Sequence, residues 1–314
     1  DSGDEIVSVA DVDVMKSEAL AREIGCQSTA NWKDIVEKKQ LDIVVVCTPN
    51  DLHLPLSVAA MKDGKHVLCE KPLARNTEEA EQMVAVAQKT GMKLKCGLNL
   101  RHHPAIRQAR VWCQKGAIGD LMFVRARYGI SGREGYDKEW RAHRNISGGG
   151  QLMDQGIHVL DLCRWFLGEF DTVFGYAVSN YWNKMEVEDN AFCLLRTIEN
   201  QIASIHVSWT QWRNLFSLEI FGKDGYCVVD GLGGSYGTER AILGKRNFAA
   251  PFSECVLEFR GDDRSLLEEW REFTSAIEQK REPLGSGYDG LQALKLARAI
   301  YESSDNACVV KPSM

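Results

Sequence analysis

The residues with the clearest capacity for chemistry stand at the end of the run His66 to Pro72, HVLCEKP, where a short apolar stretch leads into Glu70, Lys71 and Pro72. In an open parallel α/β sheet, ligands lie outside the carboxyl ends of the strands, so an acid and an ammonium there would face a ligand. A second set is Asp154 and His158, four residues apart in a segment that reads as a helix from Gln151 to about Leu167, and so on one helical face. A carboxylate and an imidazole so placed hold each other's orientation and manage a proton near neutral pH; the same spacing also serves a purely structural pair. Asp161, one turn beyond His158, reads as a structural hydrogen-bond or ion-pair partner. Gly156 inside this helix costs about 1 kcal/mol relative to Ala, which implies that something packs closely on the backbone there.

The elements that must position these groups follow from the hydrophobic pattern. Strands are expected over 5–11 (EIVSVAD), 42–48 (DIVVVCT), 66–70 and 93–98, and helices over 16–24, 32–38, 53–62 and 77–90. Strands alternating with helices of this length predict a Rossmann-type, doubly wound parallel sheet. After Pro104 the pattern changes. A helix to about Lys115 and a strand over 121–128 lead into an irregular basic and aromatic segment ending near Asn145. The triple glycine Gly148 to Gly150 then opens the Asp154 helix. Alternating runs near 170–178, 190–197, 201–209, 215–221 and 225–230 predict an antiparallel sheet, followed by helices near 264–280 and 290–304 and a short strand near Val309. The expectation is an α/β domain over 1–98 and an α+β domain with an open, mostly antiparallel sheet over 99–314.

The totals narrow the class. A chain of 314 residues is long for one core and comfortable for two. A net charge of −6 gives no electrostatic reason to expect nucleic acid or an anionic membrane as partner. The longest wholly apolar run, Ile43 to Cys47, is far below the roughly 18 residues of a membrane span. Ten cysteines, scattered singly without CxxC or histidine neighbours at ligand spacing, argue against a metal site and a disulfide framework, and predict reduced, mostly buried thiols in a cytoplasmic protein.

An acid ending a second strand usually binds the adenosine ribose of a dinucleotide and lies about 20 residues beyond a glycine-rich phosphate loop. Asp11 is such an acid but has only ten residues before it. If it has that role, the first strand, the glycine loop and the first helix precede Asp1. The sheet would then lack its middle strand, between those at 6–11 and 42–48, leaving a gap of roughly 9 to 10 Å. A literal GxGxxG at Gly285, Gly287 and Gly290 follows a helix and Pro283 rather than a strand, and reads as a loop between two helices.

Several of these runs together resemble one family. Cys47 to Ala74 (CTPNDLHLPLSVAAMKDGKHVLCEKPLA), Gly97 to Pro104 (GLNLRHHP), Gly116 to Gly119 (GAIG), Trp140-Arg141, Gly148 to Asp161 (GGGQLMDQGIHVLD) and Ala299 to Ser303 (AIYES) resemble the glucose-fructose oxidoreductase, inositol dehydrogenase and MocA superfamily. The resemblance spans essentially the whole chain in order, without the family's opening glycine fingerprint. It implies that Asp11 holds the adenosine ribose and that Thr48, Asn50 and His53 lie along the dinucleotide. Glu70 and Asn99 would be near the nicotinamide, Lys71 beside its ring, and Trp140 and Arg141 at the cofactor from the second domain. It also implies that Lys71, Asp154 and His158 are catalytic, that the Lys71-Pro72 peptide is cis, and that a homodimer or homotetramer forms through the C-terminal sheet.

The activity implied is NAD(P)-dependent oxidation of a secondary alcohol on a sugar, sugar derivative or cyclitol, or the reverse reduction. NAD is expected over NADP, because the Asp11 carboxylate would repel a 2′-phosphate and no Arg adjoins it; Lys16 is the nearest cation in sequence. His158 would act as general base, with Asp154 fixing its tautomer and Lys71 stabilising the developing alkoxide. Two further classes stay open: an NAD-dependent glycosidase using transient oxidation, and a non-catalytic dinucleotide-binding regulator. Arg101, His102, Arg144, Tyr181 and Trp182 are candidates to line a pocket for a polyhydroxylated ligand, with surface or interface roles equally open to them.

Overall fold

A computed structural model describes residues 3–249 and 253–312. In the N-terminal part, strands β1 (Ser8–Ala10), β2 (Gln27–Thr29), β3 (Ile43–Val46), β4 (His66–Cys69) and β5 (Leu94–Cys96) alternate with helices α1 (Val14–Ile24), α2 (Trp32–Val36), α3 (His53–Lys62) and α4 (Thr77–Thr90). β1 pairs with β2 and β4 lies between β3 and β5, all in parallel; among the described residues no ladder joins the two sheets. β2 escapes the sequence reading because QST carries no apolar signal. Local chemistry sets the helix ends. Asn76 caps α4 by accepting the N–H of Glu79 at 2.9 Å, and Gly91 closes it in the left-handed conformation that glycine adopts without strain.

The rest of the chain builds on an eight-stranded sheet in the order β13-β12-β11-β10-β6-β9-β8-β7. Its strands are β6 (Leu121–Gly129), β7 (Phe170–Val178), β8 (Asn190–Thr197), β9 (Ile202–Ser208), β10 (Leu215–Gly222), β11 (Gly225–Asp230), β12 (Glu239–Lys245) and β13 (Glu254–Phe259). The sheet is mixed, because β6 and β9 run parallel while every other neighbour pair is antiparallel. β12 and β13 extend it beyond the expected runs; five of the six β13 residues are exposed, so burial wrote no alternation into its sequence. The strand expected near Val309 is a single bridge from Val310 to Val173.

Helices α5 (Pro104–Gln114), α7 (Ile157–Leu167) and α9 (Gly287–Asn306) cover one face of this sheet, the short α6 (Arg144–Ser147) packs on the turn Asn50–Leu52, and α8 (Ser265–Glu278) packs on the turn Asn99–His102. One apolar core runs from β3 and β4 through α7 to β6 and β9. Gly287 and Gly290 prove to lie inside α9 rather than in a loop: the Ser286–Asp289 capping box starts the helix earlier than its apolar pattern does. A Cβ on either would stand 2.6 Å from Leu94 or 2.9 Å from Cys96, so these glycines let α9 press onto β5.

Candidate active site

The carboxyl ends of β3 and β4 open onto a cleft of about 610 Å³. One wall carries Cys47, Thr48, Asn50, Glu70 and Lys71; the other carries Trp140, Arg141, Ser147, Asp154 and Trp209. The parallel pairing explains the first wall, since Val46 and Cys69 are register partners and their successors leave the sheet together. Glu70 lies against Gly97, where a Cβ would meet the carboxylate at 3.0 Å, and the Lys71-Pro72 peptide is cis.

Across the cleft, the Lys71 ammonium donates to the Asp154 carboxylate at 2.7 Å and to the Asp154 carbonyl at 2.9 Å. Asp154 does not sit in a regular α-helix. Leu152–Gly156 is π-helical, with α7 following it, which widens the turn between Asp154 and His158. Among the described residues no hydrogen bond links the two, so the expected tautomer-fixing contact is replaced by the pairing of Asp154 with Lys71. The triple glycine makes this placement possible. A Cβ at Gly148 would lie 2.3 Å from the Arg75 carbonyl oxygen, at Gly149 2.2 Å from the Tyr301 hydroxyl, and at Gly150 1.9 Å from the Glu188 carbonyl oxygen. The buried Glu188 carboxylate then receives the N–H groups of Gly150 and Leu152, both at 3.0 Å, and the Tyr301 hydroxyl at 2.8 Å, which pins the start of the π turn.

The electrostatics separate the two catalytic candidates. Burial works to raise the Asp154 carboxyl, but the Lys71 ammonium prevails and holds it below the usual carboxylate range. His158, only 5% exposed, is pushed well below the usual imidazole range by burial and then by Lys71, with Asp154 opposing. It is therefore neutral at pH 7, and its buried Nδ1 has no hydrogen-bond partner. The Cys47 thiol is pushed up to about 11 by burial and by Glu70, so it offers no thiolate nucleophile.

Of the remaining residues named from sequence, the Asn50 amide donates to the Ser147 carbonyl at 2.7 Å and ties the two walls together. His53 is fully buried with both ring nitrogens 2.9 Å from carbonyl oxygens of Pro72 and Thr48, so it braces the ends of β3 and β4 and offers no ring nitrogen to a ligand. Asn99 donates to Ser265 at 2.9 Å and is not part of the cleft lining. Asp11 is exposed at the end of β1, where its carboxylate accepts the Asp13 N–H at 2.8 Å. Arg101 is not a pocket residue: it makes a buried two-pronged pair with Asp161 at 2.6 and 2.7 Å. His102 is buried, and Arg144 donates to the Glu186 carbonyl at 3.2 Å outside the cleft. Tyr181 and Trp182 line a separate groove.

The sequence reading missed Trp209, Tyr128 and Tyr236. Trp209 lines the cleft, and Tyr128 packs at 6.4 Å from the His158 ring and 5.6 Å from Tyr236. Strand alternation could have marked Tyr128, but Tyr236 sits in a glycine-rich turn with no periodic signal. Among the described residues no group of His, Cys, Asp or Glu is arranged to hold a metal ion, and no helix is long and apolar enough to cross a membrane.

The donor set fits a dinucleotide. Two buried polar atoms in the cleft-lining residues, Thr48 Oγ1 and Trp209 Nε1, lack a partner within the protein, and Asp11 presents a carboxylate at the end of β1. Residues 1–98 match the family model described as an oxidoreductase family with an NAD-binding Rossmann fold, and residues 106–228 match the GFO/IDH/MocA C-terminal domain. The chain is 30% identical to 1,5-anhydro-D-fructose reductase of Ensifer adhaerens, over 96% of this chain and 90% of that protein. It is 27% identical to levoglucosan dehydrogenase of Pseudarthrobacter phenanthrenivorans, over 90% of this chain and 83% of that one. In fold it is similar to a solved levoglucosan dehydrogenase in complex with NADH, with a TM-score of 0.90 at 24% identity, covering 98% of this chain and 90% of the other. The chain belongs to the GFO/IDH/MocA family of oxidoreductases, and its N-terminal part is that family's NAD-binding Rossmann domain.

Proposed function

We propose that this chain oxidises a secondary alcohol of a sugar, sugar derivative or cyclitol, or reduces the matching ketone, with NAD as cofactor. The observation that carries the reading is the Lys71 ammonium set against Asp154 across the cleft, with a neutral His158 four residues along the chain from Asp154. NAD, when bound, supplies the two-electron acceptor chemistry. Residues 1–98 would hold it: Asp11 at the adenosine ribose, where its charge disfavours a 2′-phosphate, and Thr48, Asn50 and Glu70 along the cleft toward Lys71, with Trp140 and Arg141 opposite. Residues 99–314 would hold the substrate.

An ammonium has three N–H bonds, and Asp154 takes two of those of Lys71. The third is left for the substrate oxygen, where it stabilises negative charge as the alcohol loses its proton. The neutral His158 imidazole accepts that proton, and Asp154 holds the Lys71 ammonium in place. The anhydrosugar activities named for the relatives support a pyranose or anhydrosugar as substrate. Within the same proposal, exposed Tyr176, Phe192 and Leu194 on the uncovered sheet face support self-association there, and ten free thiols support a cytoplasmic setting.

The test is to incubate the protein with NAD and a panel of anhydrosugars, glycosides and inositols while following absorbance of the reduced nicotinamide. Reduction with at least one sugar is expected. Binding of NAD by calorimetry without turnover of any of them would overturn the dehydrogenase reading in favour of a regulator. Release of free sugar from a glycoside without net reduction would overturn it in favour of a glycosidase.

A further inference from the structure

A second groove, of about 910 Å³, lies between the loop containing Glu134 and Asp137 and the loop Tyr181 to Lys184. Its aromatic floor is unusual for a surface. Tyr181 and Trp182 line it and meet edge to face at 5.3 Å; Tyr181 is 58% exposed, and Trp212, outside the groove lining and 64% exposed, meets its ring edge to face at 5.0 Å. Rings of this size are costly to leave in water, and here they are held there. The Asp189 carboxylate accepts the N–H groups of Asn180, Tyr181 and Trp182 at 2.9, 2.7 and 2.8 Å, which fixes the loop. Gly132 lets the Trp182 ring lie on its backbone, where a Cβ would stand 2.8 Å from the ring.

The rim is polar and uncommitted. Among the described residues, Glu134, Asp137, Asn183 and Lys184 make no hydrogen bond or ion pair. Both charge signs are present, so the groove suits a neutral ligand rich in donors and acceptors rather than a polyanion or polycation. The groove also shares a wall with the cleft. The Trp182 indole donates to the Trp209 carbonyl at 3.1 Å, and Tyr136 packs on both rings, at 6.0 and 4.9 Å. Trp209 in turn lines the Lys71–Asp154 cleft.

An aromatic floor with an unpaired polar rim matches a pyranose, which has apolar C–H faces and a girdle of hydroxyls. We propose that this groove is a saccharide site separate from the cleft, taking a pyranose ring of an oligosaccharide or glycoside. The proposal goes beyond the dehydrogenase reading, and its test does not depend on turnover.

Cellobiose and, separately, glucose are titrated calorimetrically into the wild-type protein, Lys71→Met and the double variant Tyr181→Ala/Trp212→Ala. The expected result is saturable cellobiose binding to wild type and to Lys71→Met, tighter than glucose binding, and weakened at least tenfold in the double variant. Both truncated side chains are exposed, and an unchanged circular dichroism spectrum verifies that the fold is intact. No saturable cellobiose binding, or binding unaltered in the double variant, would overturn the proposal. A smaller oligomer by light scattering in the double variant, with cellobiose binding unaltered, would overturn it in favour of contact between copies. Failure of every sugar to reduce NAD would leave this titration interpretable, so the two readings fail separately.

Discussion

Replacing Lys71 with Met keeps the length of the side chain and removes its charge, leaving the Asp154 carboxylate and carbonyl without the donor they now share. Exposed ion pairs contribute about 0–1 kcal/mol, and breaking a fully buried pair costs about 3–5 kcal/mol. The two side chains here are 19% and 21% exposed, which places the coupling between those limits, at about 1–3 kcal/mol. The assay is a double-mutant cycle of Lys71→Met and Asp154→Asn, with urea unfolding for stability and NAD reduction for rate. Turnover in Lys71→Met should fall by roughly 10² to 10⁴, or about 3–5 kcal/mol of transition-state stabilisation, because both the alkoxide partner and the order of Asp154 are lost. NAD affinity, set by residues elsewhere in the cleft, should change much less. Wild-type turnover in Lys71→Met, or stability effects that add within about 0.5 kcal/mol, would refute the reasoning.

Glu188→Ala strips the acceptor from two buried N–H groups and the Tyr301 hydroxyl, and should cost about 3–6 kcal/mol in urea unfolding, whereas Glu188→Gln, which keeps an oxygen there, should recover most of it. Gly150→Ala should lower turnover more than it raises the KM for NAD, since the clash with the Glu188 backbone moves the Asp154 turn; equal loss in both would count against it. For pH, burial and nearby cations push the His102 imidazole down to about 3, so the unfolded chain holds the extra proton below about pH 6.5. Its stability contribution is present above that pH and is lost on acidification, at about 1.4 kcal/mol per pH unit. His102→Phe should therefore flatten the pH dependence of the urea midpoint between pH 6.5 and 5, and an unchanged slope would be the contrary result. His158→Gln should slow turnover and abolish an acid limb that, in wild type, lies well below pH 6.5.

Much of the fold was legible because burial writes a period into the chain. DIVVVCT and HVLCEKP read as apolar strands of a parallel sheet, which they are, although Val45 is 47% exposed, and helix 77–90 was bounded by its own cap and C-terminal glycine. The losses fell where that link is weak. β2 is three polar residues, β13 is an edge open to water, and α9 starts on glycines chosen for contact with β5 rather than for helix propensity. At the site, residue types and spacing pointed to Lys71, Asp154 and His158 but could not say which would touch. Spacing assumes 3.6 residues per turn, and the π turn breaks that assumption between Asp154 and His158.

That turn also bears on how the site could have arisen. A π turn carries one residue more than the α-helical path it replaces, and a residue turns a helix by about 100°. Deleting one position within Leu152–Gly156 would restore regular winding and swing Asp154 and His158 out of their present relation while keeping every chemical group. A single codon's worth of length thus sets the angle between an acid held by Lys71 and a buried imidazole, so a descendant could change their relation by insertion or deletion without replacing either side chain.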